Sequence, residues 1–202
     1  EDAIIAEGVS DPEKARFSRD PKVKALARRL TAVKELGKKL LTGKRDTEVV
    51  SFEQLGVDAL LVDEAHAYKK LAFVTVLPDI KGMDTGFSKR GLNMLLKTRF
   101  VQERRGGKNV HFYTGTPITN TIAEAWTMMR YLRPDVLAAA HISTFDEFVA
   151  TFAKRTTEYE MQGGIMLKAV ERLRAFNNVS TLQQLWLQVS DEQQAEAAGI
   201  PR

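Results

Sequence analysis

The segment "ALLVDEAHAYKKL" (59–71) is an apolar run that ends in two carboxylates and a histidine, Asp63, Glu64 and His66. A carboxylate at a strand tip can hold a magnesium ion through its inner-shell waters. A second carboxylate beside it can orient and deprotonate the water that attacks a phosphoryl group. A second segment, "TGTPITN" (114–120), offers short hydroxyls at Thr114 and Thr116 on either side of Gly115. Set beside the acids, such hydroxyls can hydrogen-bond them and sense their state. Asp-Glu-Ala-His alone recurs by chance, and its plain reading is a strand that stops in a solvated turn. The two segments together favour the chemical reading.

Those side chains need strand ends that share a crevice, because ligands of open parallel sheets sit beyond the carboxyl ends of the strands. "VDALLVD" (57–63) reads as a strand buried on both faces, and "NVHFYTG" (109–115) as a second, entered through Gly106–Gly107. "VVSFEQLG" (49–56) reads as a further short strand or extended segment, and 78–91 as a glycine-containing loop. A helix is expected from Ser88 to Arg105 with Leu92, Leu95, Leu96 and Phe100 inward. Thr119 or Asn120 is the expected cap of a helix that ends before Pro134, with Trp126, Met128, Met129 and Tyr131 as core. Another helix starts at Ser143 or Thr144, where Glu147 completes a capping-box pattern. A hairpin turning at Gly163–Gly164 and two short helices, "STLQQLWLQV" and "DEQQAEAA", follow, with Trp186 as core. This order predicts an α/β fold with a partial parallel sheet and a mostly helical extension. The expected divisions are a basic helical segment at 1–45, a sheet unit at 46–134 and the extension at 135–202.

The 202 residues suffice for a real hydrophobic core, and a 44% apolar fraction is that of a globular protein. Cysteine is absent, which removes disulfides and thiolate zinc sites and points to a reducing, cytoplasmic compartment. No apolar run approaches the roughly 18 residues of a membrane span. The chain begins at Glu1 rather than Met and reads as a piece of a longer protein. Three scattered histidines without H-E-x-x-H spacing argue against a metalloprotease; His111 and His141 read as ordinary histidines. Residues 13–45 hold twelve Lys or Arg against three acids, a local +9, which leaves −5 for the remainder of a chain of net charge +4. This block is compatible with phosphate contacts and equally with a solvated helix face. From Pro21 to about Gly43 it reads as an amphipathic helix with a seam of Val23, Leu26, Leu30, Val33, Gly37 and Leu40.

The pair of motifs resembles the second and third motifs of superfamily-two helicases, the DEAH-type box and the threonine-glycine-threonine motif. The string "TGTPITNTIAEAWTMMRYLRPD" (114–135) and the later "STFDEFVATFA" (143–153) are similar to the Swi/Snf branch of that superfamily. A closer likeness covers most of 50–202, through "SFEQLGVDALLVDEAHAYKKL", "LLKTRF", "GTPITNTIAEAWTMMRYLRPD" and "RLRAFNNVSTLQQLW". These resemble the helicase part of very large DNA methylase–helicase proteins of phages, plasmids and other mobile elements, some linked to protection from restriction.

The resemblance implies a RecA-like sheet of the P-loop NTPase type, with ATP and Mg2+ as cofactors of the intact parent and DNA as its partner. It makes Asp63 the magnesium-associated acid, Glu64 the catalytic base and His66 the link between nucleotide state and the motor. Thr114, Gly115 and Thr116 would couple hydrolysis to movement. Lys69, Lys70, Lys81, Ser88, Lys89, Arg90 and Asn120 are the candidate nucleic-acid contacts. It further implies the remaining motor-lobe segments and an attached methyltransferase domain as partners, in a bacterial or phage-infected cytoplasm. The departures are a missing G-x-x-x-x-G-K-[ST] loop, for which "LLTGKRDT" (40–47) is no substitute, and a missing second lobe. "LRAFNNV" (173–179) stands where the Swi/Snf branch often shows paired arginines, leaving the role of Asn177 and Asn178 open. The isolated chain is therefore expected to hold no cofactor tightly and to be inactive by itself. The rival expectation is a non-catalytic DNA-binding module using the basic helix at 20–43, or a homodimer through the seam of that helix.

Overall fold

The computed structural model describes residues 24, 27, 28, 31, 34, 35, 38, 50–71, 73, 75, 77, 80, 88–119, 121–162 and 166–193. Two short strands are β1 (Leu60–Val62) and β2 (Val110–Phe112). They pair in parallel, Leu60 opposite Val110 and Val62 opposite Phe112. Between them lie a 3-10 helix (Ala65–Tyr68) and helix α1 (Lys89–Arg104), capped by the Ser88 hydroxyl, which accepts from the Gly91 N–H. Helices α2 (Ile122–Leu132), α3 (Pro134–Ala139) and α4 (Phe145–Phe152) follow β2. An antiparallel hairpin, β3 (Ala153–Gln162) and β4 (Met166–Phe176), and helix α5 (Val179–Leu187) complete the described chain. The fold is mixed α/β, with a parallel two-stranded sheet and helices, as the element order predicts.

Several details differ from the sequence reading. Residues 52–56 form turns rather than a strand. β1 is three residues long, and Leu61 is 63% exposed, so the strand is buried on one face only. Period-2 geometry sends Leu61 opposite to Leu60 and Val62, and only that second face has helices packed on it. The buried face of α1 is Gly91, Met94, Thr98, Val101 and Gln102, while Leu96 points to solvent. The reason is close packing. A Cβ on Gly91 would lie 2.5 Å from the Lys70 carbonyl oxygen, so only glycine lets α1 approach the chain there. Thr98 and Gln102 are buried but satisfied: Thr98 donates to the Leu95 carbonyl, and the Gln102 amide donates to the Tyr131 and Leu132 carbonyls, each at 2.9 Å.

The N-cap of α2 is Thr121, with no side-chain cap, rather than Thr119 or Asn120. The capping box at Thr144 and Glu147 forms as predicted. Trp126, Met128, Met129 and Tyr131 are buried, as expected, and Trp126 lies 5.3 Å from Phe148, which is 5.0 Å from Phe152. Trp186 packs half-buried against this core. The hairpin is crossed by Arg172, which pairs with Glu158 at 3.2 Å and with Glu160. Asn178 adopts a left-handed conformation and its side-chain amide donates to the Thr151 carbonyl, while the Asn177 N–H donates to the Phe152 carbonyl. The two asparagines thus tie the end of the hairpin to the end of α4. The apolar seam of the basic N-terminal helix, Gly163–Gly164 and most of "DEQQAEAA" lie outside the described residues; residues 191–193 are not helical. Residues 24, 27, 28, 31, 34, 35 and 38 are helical, with Arg28, Lys34 and Lys38 exposed. Among the described residues no helix is long and apolar enough to cross a membrane.

Candidate functional site at the paired strand tips

Parallel pairing aligns the two chemical segments. The ladder runs one step past the strands: the Tyr113 N–H donates to the Val62 carbonyl at 2.8 Å, and the Ala65 N–H donates to the Tyr113 carbonyl at 3.0 Å. Asp63 and Glu64 leave β1 beside Tyr113 and Thr114 leaving β2, on the same end of the sheet. Asp63, Glu64 and His66 are exposed, as are Gly115 and Thr116, while Thr114 is half-buried. Nothing lies within 4 Å of the place a Cβ on Gly115 would take. The tips therefore open to solvent rather than closing over the acids.

The acidic turn is locally strained. Glu64 has φ 50° and ψ 45°, a left-handed conformation that a residue with a Cβ adopts at a cost of about 1–3 kcal/mol. The Glu64 N–H donates to an Asp63 carboxylate oxygen at 2.8 Å, which steadies the turn. The Glu64 carboxylate lies 2.9 Å from His66 Nδ1. In the facing loop the Thr114 hydroxyl accepts from the Thr116 N–H at 3.1 Å. The exposed Asp63 carboxylate is of the kind that can hold a magnesium ion through water. Among the described residues no group of three or more His, Asp or Glu could hold a metal ion unaided.

Behind the tips, Val62, Ala65, Leu71, Met94 and Tyr131 form a small buried cluster. Tyr131 organises it, its hydroxyl donating to the Gly91 carbonyl at 3.0 Å and lying 3.3 Å from the Tyr68 carbonyl. Burial pushes this phenol well above its ordinary range, so it stays a neutral donor. Burial likewise lowers the pKa of Arg130, with Arg99 adding to the effect. The Arg99 guanidinium donates to the Arg130 carbonyl at 2.9 Å.

The expected nucleic-acid contacts fall into four groups. Lys70, Lys89 and Arg90 are exposed, and the close approach at Gly91 brings the start of α1 against Lys70. Ser88 serves as the α1 cap. The Lys69 ammonium lies 3.1 Å from the Thr119 hydroxyl and 3.3 Å from the Glu124 carboxylate, so a phosphate would have to compete with that pair. Lys81 and Asn120 lie outside the described residues. Sequence reasoning missed Glu124, Gly91 and Tyr131 as organising residues. For Glu124 the available signal was an acid in the first turn of a helix following the second motif.

Among curated proteins the chain is similar to "Defense against restriction protein B" of Escherichia phage P1, 24% identical over 140 residues, or 65% of this chain. The chain spans about 6% of that relative's length. No solved structure matches. The family model described as "Probable helicase domain" matches residues 18–194, a span that contains both strand tips and the helices behind them, and the chain therefore belongs to that family.

Proposed function

We propose that this chain is part of the first motor lobe of an ATP-dependent DNA helicase or translocase, of the DEAH-type and Swi/Snf-like kind. Its parent would be a DNA methylase–helicase protein of a mobile element. The observation that carries this reading is the parallel register that sets Asp63–Glu64 beside Tyr113–Thr114 at one end of the sheet. Family membership and the similarity to a phage protein named for defence against restriction support it.

In this reading the roles follow from chemistry. Asp63 holds magnesium through water, and the ion, when bound, neutralises charge on the phosphates. Glu64 takes the proton from the attacking water, with His66 at 2.9 Å orienting its carboxylate. Thr114, Gly115 and Thr116 form the adjoining loop that follows the state of the acids. Lys70, Lys89 and Arg90, all exposed, contact DNA phosphates. The sequence lacks a phosphate-cradling G-x-x-x-x-G-K-[ST] loop, so the ATP site is completed by segments of the parent.

The test is DNA-stimulated phosphate release by the full reading frame and by this chain alone. The full protein should hydrolyse ATP, Glu64→Gln should lower turnover by about 10²–10⁴-fold, and the isolated chain should match the Glu64→Gln background. Equal rates for the full protein and its Glu64→Gln variant would defeat the proposal.

A second reading has its own observation, the exposed cations Arg28, Lys34 and Lys38 on the N-terminal helix. Here the chain is a DNA-binding module. Salt-sensitive duplex binding that survives Asp63→Ala but is lost when Arg28, Arg29, Lys38 and Lys39 are neutralised would favour it.

A further inference from the structure

We propose that Lys69 is a positioning residue that ties the acidic turn to the threonine loop, rather than a phosphate contact. This rests on the functional reading above only in what the tie is for. Lys69 follows the 3-10 helix, six positions after Asp63; Thr119 stands three positions after Thr116, and Glu124 lies in the first turn of α2. The ammonium donates to the Thr119 hydroxyl at 3.1 Å and to a Glu124 carboxylate oxygen at 3.3 Å. The same oxygen accepts from the Thr119 N–H and, at 3.1 Å, from its hydroxyl. Lysine, carboxylate, hydroxyl and backbone amide thus close one polar knot across the ends of β1 and β2.

Burial separates this pair from ordinary surface ion pairs. The Lys69 and Glu124 side chains are only 10% and 14% exposed, although the acids and Gly115 nearby are open to water. An ion pair so placed is little screened, and removing one partner strands the other charge away from solvent. Glu124 at a helix N-terminus is further favoured by the helix dipole. The knot therefore fixes the stretch from Pro117 to Thr119 against Lys69, leaving Thr114–Thr116 tethered at both ends, by the ladder bond at Tyr113 and by the knot at Thr119. Movement of the acidic turn is then passed to the threonine loop through a short connection.

Hydrogen exchange on the 202-residue chain tests the tie without nucleotide. Lys69→Met should speed exchange of the Thr116 and Thr119 amides about tenfold or more relative to the amides of α4. Glu124→Gln should act in the same direction, and Lys69→Arg, which keeps the charge and donors, should restore most of the protection. Unchanged loop exchange in Lys69→Met, equal acceleration in α4, or an Arg variant as fast as the Met variant would each overturn the proposal. In the full protein, Lys69→Met should lower DNA-stimulated turnover while leaving the DNA concentration for half-maximal stimulation in place; a raised half-maximal DNA concentration with normal turnover would overturn the proposal. If the unmodified full protein proves to lack ATPase activity while the exchange result holds, the functional reading falls and the tie stands.

Discussion

Two buried clusters among the described residues are built by opposite means. Behind the strand tips, Val62, Ala65, Leu71, Met94 and Tyr131 make a small cluster whose geometry is set by hydrogen bonds, through Tyr131, Gln102 and the close contact at Gly91. Around α2, α3 and α4, Trp126, Phe145, Phe148 and Phe152 stack with Phe73 into an aromatic core. Aromatic burial supplies non-directional stability, whereas hydrogen bonds and a close glycine contact fix direction. The difference explains how a turn as exposed and strained as Asp63–Glu64 keeps its shape. Stability resides in the aromatic half, and orientation resides in the polar half.

The largest expected effect breaks the aromatic side. Phe148 is fully buried between Trp126 and Phe152, so Phe148→Ala should destabilise the chain by about 3–5 kcal/mol in denaturant titration. If the comparison holds, exchange at the strand-tip amides should rise only with global unfolding. Next comes the close contact. Gly91→Ala places a Cβ 2.5 Å from a backbone carbonyl that cannot rotate away, and should cost about 1–3 kcal/mol while opening the Tyr131 contacts first. A neutral result would mean that α1 is free to shift and that the polar half is not rigid.

A smaller effect comes from the α4 start, on the aromatic side. The Glu147 carboxylate accepts the Ser143 and Thr144 N–H groups at 2.6 and 2.9 Å, which holds its pKa below the ordinary carboxylate range. The folded-state pKa is depressed, so this contribution is present above the ordinary carboxylate pKa and is lost as pH falls through the folded value. Glu147→Gln should flatten that part of the stability–pH curve, and Thr144→Ala should cost about 1 kcal/mol. The smallest effect sharpens the contrast at the site itself. Glu64→Gly relieves a left-handed backbone and should raise stability by up to about 1 kcal/mol, a gain that no substitution at Phe148 can give. A loss of stability would show that the Glu64–His66 contact outweighs the backbone strain.

Much of the local structure was legible in residue types. Ser88 and Thr144 announce helix starts because their hydroxyls accept backbone N–H groups, and Pro134 ends α2 because it cannot continue the ladder. On α1 Leu95 packs against the small cluster as the leucine pattern suggests, but Leu96 is exposed, and Gly91 and the buried amide of Gln102 mark the face that is fully covered. Periodicity cannot see that α1 lies so near the Lys70 carbonyl that a Cβ at position 91 would meet it at 2.5 Å. Lys69 shows a similar limit: a lysine beside an acidic motif suggests a phosphate, and the Glu124 carboxylate it pairs with lies 55 positions away along the chain.

The amino-acid sequence by itself determined the chemistry at each strand end, acids at one and threonines at the other, because those depend on residue type and local order. It also determined where α1 and α4 begin, since their caps are contacts between near neighbours; the start of α2, which has no side-chain cap, it did not. Tertiary structure alone decided that the two ends lie side by side, that Glu124 reaches Lys69, and that the acids open to water. Those facts depend on strand register and on side chains far apart along the chain, which no local pattern encodes.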